Sequence, residues 1–397
     1  MTAIPHVERV TAPRSLGRAW YAVLIAGLGV GSGCFLYQWA NGLTVTGMSN
    51  TVSWGMYIIS FMFLVGISAG GLIVVAGSEL VGSKRFEPLN RLAIVVSATA
   101  IAAAAIAILP DLGRPQLVWK LFLQPNVTSP LVWDIAIITT YLAIAAVDLW
   151  IMTRPEPREG ALRAAAFVAL PAAVLVHSVT AWIFGLVVAR PFWNTALMAP
   201  LFISSALVSG TALVIVVAHL TERTTDFSPP QRVFPDLGKL MVWFIGTDAF
   251  LLFTEVLTTY TSRVPDHVEQ LRVLLLGRLA WVFWSEVALG VLVPLAIFAT
   301  PRLRERRGWL VTGAALALIG VFLKRVNILM SALFEPLVGL SPGIPGGRPG
   351  QPFRPDQVYV PTWVEWGVLL GLASFVGLAI TLGVRSLVLH RGRHETP

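Results

Sequence analysis

The chain alternates between long runs without charge and short polar connections. Ten runs of about 20 residues stand out, at 19–40, 54–78, 91–109, 131–152, 163–188, 196–220, 237–260, 275–299, 309–334 and 362–385. Within them the apolar positions follow neither the alternation of a half-buried strand nor the single stripe of a surface helix, so each run is apolar all round. At 1.5 Å per helical residue, such a run crosses a hydrocarbon layer of roughly 30 Å. Only helices and closed barrels satisfy their backbone in lipid, and barrel strands are alternating segments of about ten residues. The pattern therefore predicts an all-α integral membrane protein of about ten transmembrane helices. It divides into an N-terminal segment (1–18), a transmembrane domain (19–385) and a C-terminal tail (386–397). The first run lies behind Arg9, Arg14 and Arg18 without an A-x-A-like cleavage site, and reads as a retained helix.

Composition agrees and excludes a soluble enzyme: of 397 residues, 56% are hydrophobic and 13% charged, with mean hydropathy +0.75. The net charge of +8 is spread thinly, with no basic stripe or nucleic-acid motif, so nucleic acid is not an expected partner. The basic residues carry topology instead. Of the 29, 19 fall on the side holding both termini and eight on the other; Lys324 and Arg325 lie inside the ninth run. The excess predicts both termini in the cytoplasm. Trp54, Trp133, Trp193 and Trp363 then mark outer helix ends, as in an aromatic belt. A Pro/Gly-rich outer loop at 335–361 is too long for a simple connection, and reads either as a docking strap for a partner or as a surface loop. Cys34 alone cannot ligate an iron–sulfur cluster, and only His177 of six histidines is deep, so neither a cluster nor a bis-histidine haem is expected in this chain.

Ionisable groups inside the runs are the candidate chemistry, because a charge at mid-membrane costs about 2.5–3.5 kcal/mol on insertion scales. Asp134 and Glu365 enter near the outer ends of the fourth and tenth runs. His177, Lys324 and Arg325 fall in the outer half, Asp248 and Glu286 near the middle, and Glu255 near the outer end of the seventh. Asp134, Tyr141 and Asp148 are spaced by seven and share a helix face, as do Asp248 and Glu255. Two readings stand side by side. The stripes could carry protons, with His177 titrating near neutrality; or the acids neutralise Lys324, Arg325 and Arg278 in buried pairs that hold helices together. The Gly66/Gly70 pair in ISAGG reads as small-residue packing.

Four segments carry a resemblance: WGMYIISFMFLVGISAGGLIV (54–74), PDLGRPQLVWKLFLQPNVTSPLVWD (110–134), HSVTAWIFGLVVARPFWNTALMAPLFISSALVSG (177–210) and YVPTWVEWGVLLG (359–371). Together they resemble the NrfD/PsrC family of quinone-interacting membrane subunits, in the longer ten-helix form of HybB, DsrP and the ActC and ActF subunits. The DLGRP…SPLVWD stretch is the most specific part. The resemblance implies a bundle in the cytoplasmic (inner) membrane of a bacterium or archaeon that binds a quinone, menaquinone or ubiquinone, near its outer face. It further implies electron exchange with a docked ferredoxin-like iron–sulfur subunit. That subunit in turn joins a catalytic partner: a molybdopterin enzyme, a hydrogenase or a multihaem cytochrome. By the same match Asp134 is the quinone-site acid and His177 its partner in a proton route, with Asp111, Arg114 and Trp133 in the same outer motif. The stripes Asp134, Tyr141, Asp148 and Asp248, Glu255, with Glu286, are the residues available to such a route.

Two other classes remain open on sequence alone. A secondary transporter would use Asp248, Glu286, His177 and Lys324 as a midplane site, although Pro171, Pro200 and Pro294 do not occupy matching positions in two halves. A passive membrane anchor would use the buried charges only for structure.

Overall fold

The computed structural model describes residues 17–49, 52–80, 85–152, 159–190, 192–334 and 359–386. Among them are ten membrane-length helices and no strands, as the apolar runs predict. They are α1 (Arg18–Asn41), α2 (Met56–Leu80), α3 (Asn90–Ile108), α4 (Pro130–Met152), α5 (Glu159–Gly185), α6 (Met198–Thr224), α7 (Val233–Thr261), α8 (Ala280–Ala299), α9 (Arg307–Leu333) and α10 (Trp363–Ser386). The predicted N-terminal segment up to residue 16, residues 335–358 of the Pro/Gly-rich loop and the tail from 387 lie outside the described residues. Successive helices cross in alternate directions. The end holding the starts of α2, α4, α6, α8 and α10 is the one expected to face outward, and is called the outer end below.

Boundaries follow local chemistry. The eighth run extends back to 275 by hydropathy, yet α8 starts at Ala280, because residues before it form a separate helix, Pro265–Leu275, opened by a proline at its first position. α8 is not uniformly α-helical: a π-helical turn occupies Glu286–Leu292. α3 tightens at its outer end into a 3₁₀ turn, Leu109–Leu112, which carries Pro110 and Asp111.

α2, α3, α6 and α9 form the centre, whereas α1, α4, α7 and α10 present most of their surface outward. The α2–α6 crossing explains the ISAGG sequence. A side-chain carbon on Gly70 would collide with the Ala206 carbonyl, and one on Gly210 would collide with the Gly71 backbone. Gly66, one turn earlier on α2, also faces α6 at Ser209, and Arg325 and His177 besides, but across ordinary contact distances, so of the pair only Gly70 is required by close approach. α1 and α10 pack antiparallel on each other, with Gly31 against Gly371 and Trp20 Nε1 donating to Thr381 Oγ1 at 3.3 Å. At the inner end Phe86, Phe227, Phe234 and Phe298 are buried in one apolar cluster. Asp134, His177, Arg325 and Lys324 lie toward the outer end from this plug, while Asp236 beside it pairs with Arg85 and Lys239.

Candidate functional site

The outer half holds a connected set of buried polar groups. Asp134, one turn into α4, is 3% exposed, and its Oδ1 accepts a hydrogen bond from Thr180 Oγ1 of α5 at 2.6 Å. One turn before Thr180 stands His177, with no exposed surface and no hydrogen-bond partner at either ring nitrogen. Asp134 and His177 do not bond to each other; Thr180, which holds Asp134, is three residues after His177 on the same helix. The space beside Gly66 is bounded by His177 Nε2, Ser209 Oγ and Arg325 Nη2. Arg325, from α9, is fully buried; its Nη2 donates to Ser205 Oγ at 2.7 Å and its guanidinium lies 4.2 Å over the Phe202 ring. Its Nε and Nη1 have no partner.

Toward the outer end an aromatic cluster covers this group. The rings of Trp54, Phe184 and Trp193 lie 5.2–5.9 Å apart, and Phe202 connects Phe184 at 6.0 Å to His177 at 6.4 Å. Only Trp133 and Trp363 of the four belt tryptophans are exposed. Trp193 is buried, its indole N–H donating to the Ile328 carbonyl at 2.7 Å, and Trp54 packs on it. An indole that finds an internal acceptor has no need of the interface.

Inward along α4, the seven-residue spacing turns Tyr141 and Asp148 to the same buried side as Asp134. The Tyr141 hydroxyl is 3.1 Å from Ser97 Oγ of α3, and Ser68 Oγ of α2 donates to the Ser97 carbonyl at 2.8 Å. On the far side of α9, Lys324 Nζ meets both oxygens of Asp248, at 2.7 and 2.6 Å, and Ser204 Oγ donates to the same carboxylate at 2.8 Å. Glu286, at the start of the π-turn, accepts from Asn327 Nδ2 at 2.6 Å. Glu255 accepts from Thr195 Oγ1 at 2.9 Å. The pairing reading thus holds for Asp248 and Lys324. Arg325 binds a serine and an aromatic face instead, and Arg278 is exposed, standing over the Phe334 ring at 5.4 Å.

The outer motif divides. Asp111 shares its electrostatic surroundings with Glu365 and Tyr57. The Tyr57 hydroxyl donates to Gln38 Oε1, and Gln38 Nε2 donates to the Pro110 carbonyl at 2.7 Å. Glu365 is fully buried and accepts from the backbone of Gly47 at 2.7 Å and Thr362 at 2.9 Å, and from the Tyr359 hydroxyl. Burial and that carboxylate hold the Tyr359 phenol far above the ordinary tyrosine range. Arg114 is exposed. Trp133 is 40% exposed, and its indole donates to the Val127 carbonyl at 2.7 Å. Of the residues expected around a quinone, the structure associates Asp134 with the helix bearing His177. It puts Asp111 in a separate group, and Arg114 and Trp133 at the surface.

The neutral partners Thr180, Ser204, Ser205, Asn327 and Gln38 were missed by sequence reasoning. They carry no charge to mark them in apolar helices. The available signal is helical spacing, since Thr180 follows His177 by three positions and Asn327 follows Lys324 by three.

Comparison with known proteins gives this arrangement a context. The family described as "Polysulphide reductase, NrfD" matches residues 44–335, which spans α2 to α9 and leaves α1 and α10 outside. The protein is 35% identical to a putative dimethyl sulfoxide reductase membrane subunit of Halobacterium salinarum, over 95% of its own length and 92% of that relative. It is 26% identical to the Hdr-like menaquinol oxidoreductase integral membrane subunit of Archaeoglobus fulgidus, over 90% of each. It is 24% identical to a polysulfide reductase polypeptide of Wolinella succinogenes, over 70% of its own length and 94% of that relative. A match over most of the sequence, together with ten membrane-length helices around a buried polar outer half, makes this protein a member of the NrfD family of multi-pass membrane proteins.

Proposed function

We propose that the protein is the membrane subunit of a respiratory oxidoreductase complex, and that it binds a quinone or quinol beside Asp134 and His177. The observation that carries the reading is the pair of unpartnered ring nitrogens on a fully buried His177, one turn from the Thr180 that holds the Asp134 carboxylate. A buried polar atom without a partner is costly, so a ligand or ordered water is expected to complete it. A carbonyl or hydroxyl on a flat ring fits that need, and Trp54, Phe184, Trp193 and Phe202 offer aromatic faces for the ring itself. When bound, the quinone supplies the redox chemistry, taking up two electrons and two protons on reduction and returning them on oxidation. The protein's own residues bind, orient and exchange protons. Asp134 can give or take a proton at Oδ2, the oxygen not engaged by Thr180. The buried face Asp134, Tyr141, Asp148 and the group Asp248, Glu255, Glu286 are the routes along which protons would move. Electrons would come from or go to an extrinsic iron–sulfur subunit at the outer face, joined to a catalytic subunit; the Halobacterium salinarum and Archaeoglobus fulgidus relatives are themselves named as membrane subunits of a reductase and of a menaquinol oxidoreductase. The complex would lie in the cytoplasmic membrane of a prokaryote with both termini inside. Family membership weighs against the secondary-transporter and passive-anchor readings.

The test is Asp134→Asn in the intact complex. It keeps size and polarity but removes the titratable proton. Quinone-linked turnover is expected to fall at least about tenfold, roughly 1.4 kcal/mol in barrier, while the catalytic partner still reacts with an artificial electron dye. An assembled variant with wild-type quinone turnover would overturn the site.

A further inference from the structure

The α1–α10 pair does not close against the core along its whole length. Between it and α2 and α3 lies a cavity of about 130 Å³. Its walls run from Leu28 and Phe375 at the deep end to Tyr57 and Pro110 at the outer end. Gln38, whose amide holds the Pro110 carbonyl, follows Leu28 by ten positions on α1, so the cavity is a slot extending on the order of 15 Å along the bundle. Apart from Ser32, Tyr57 and Ser60, its lining side chains are hydrocarbon, and the Tyr57 hydroxyl is already engaged with Gln38. Ser32 of α1 and Ile106 of α3 are exposed, so the slot opens sideways between these helices. The slot lies on the side of α2 turned to α1 and α10, whereas Gly66 of the same helix faces His177 and Arg325.

The lining decides the occupant. Water finds too few polar partners in such a space, and an empty slot forfeits dispersion contacts along every wall. The fluid at the mouth is the hydrocarbon of the bilayer, because α1 and α10 present most of their surface outward. Running from the middle of α1 to its outer end, the slot is one leaflet deep and parallel to the helices, which suits a straight lipid chain. Charge at its outer end agrees. Just beyond Pro110 the sequence carries Arg114 and then Lys120, both exposed at the level of the head groups. Exposed tryptophans accompany them: the Lys120 ammonium lies 5.8 Å from the Trp119 ring, and Trp39 Nε1 donates to Gln116 Oε1 at 3.1 Å. A phosphate is the group that two such cations complement.

We propose that this slot binds one acyl chain of a phospholipid from the outer leaflet, with the lipid phosphate at Arg114 and Lys120. The lipid then forms part of the contact between the α1–α10 pair and the core. The site is separate from Asp134 and His177 and does not depend on the quinone reading.

The experiment uses the intact complex purified in dodecyl maltoside and titrated with phosphatidylglycerol that carries a photoactivatable diazirine midway along one chain. After irradiation the adducts are mapped on peptides. Saturable labelling is expected around Phe35, Ile106 and Leu372, competed by unlabelled phosphatidylglycerol. Trp243 and Phe250, exposed on α7, report loosely held lipid and should label in proportion to the probe. Ser32→Phe, which plugs the mouth from an exposed position, is expected to cut slot labelling at least about tenfold and leave α7 labelling unchanged. Ile106→Trp serves the same purpose if Ser32→Phe does not assemble. Arg114→Gln combined with Lys120→Gln should weaken the phospholipid about tenfold but not a diacylglycerol bearing the same diazirine chain. Asp134→Asn is expected to label like wild type, so this inference and the quinone site fail independently. Slot labelling that stays proportional to the probe, or that persists in the plugged variant, would overturn the proposal. Stronger slot labelling by a quinone with a diazirine in its isoprenoid tail would overturn it as well, and assign the slot to a quinone chain. Equal responses of the phospholipid and the diacylglycerol to the double substitution would overturn the phosphate contact.

Discussion

Lys324 and Arg325 are neighbours in sequence and turn into different surroundings, one toward Asp248 on α7 and the other toward Ser205 and Phe202 on α6. Adjacent helical residues point about 100° apart, so α9 serves two polar groups at one depth. Removing one partner of a buried pair strands the other charge. Lys324→Met should destabilise the complex by about 3–5 kcal/mol, seen as lost yield and a lower dissociation midpoint, whereas Lys324→Met with Asp248→Leu should recover most of the loss. The double substitution failing as badly as the single one would show that Asp248 has another task. Thr180→Val should leave the complex assembled and lower quinone-linked turnover about tenfold, as expected when a hydrogen bond to a charged group is lost, with Thr180→Ser restoring most of it. A pH profile unchanged in Thr180→Val would argue that Thr180 does not act on Asp134. The charged residues were legible in the sequence because lipid makes charge conspicuous. Which of them pair was not legible, because that depends on facing helices far apart in the chain. Trp133 and Arg114 illustrate the limit: they sit beside informative residues and point elsewhere.

At the scale of helices, length and uniform apolarity were enough to find all ten spans, because a bilayer imposes one length on every crossing. The interruptions were hidden. Hydropathy misplaces the start of α8 by a few residues, to the end of the helix at Pro265–Leu275, and cannot reveal a π-turn, which is a backbone pairing rather than a composition. Small residues told part of the story: Gly70 and Gly210 do mark a close crossing, while Gly66 makes room for polar side chains. Gly210→Val should therefore block the α2–α6 approach at a cost of at least about 1–3 kcal/mol, and the protein should fail to accumulate in membranes. Gly29→Val, on α1 with open space around it, should accumulate normally.

For the whole molecule, the direction of insertion rests on the distribution of basic residues, 19 against eight among 29. A reporter active only outside the cytoplasm should function when fused after Gln351 and stay silent after Arg306. The reverse pattern would invert the site and put Asp134 near the cytoplasm. The isolated protein should also show neither a haem Soret band nor an iron–sulfur signal, since it has one cysteine and one deep histidine. A stoichiometric haem in the purified protein would refute the division of labour proposed for the complex.

The interlock of α1 and α10 through Gly31 and Gly371 has a consequence for biosynthesis. Among the described helices α1 leaves the ribosome before the others, and its main partner, α10, is made after the others. From Asn41 to Trp363, at about 5–20 residues per second, the wait is on the order of half a minute. Throughout it α1 must rest in lipid or against the insertion machinery with its glycine face uncovered. A nascent polypeptide that stalls or is truncated after α9 would display that face as a quality-control signal, and α10 is the clasp that covers it.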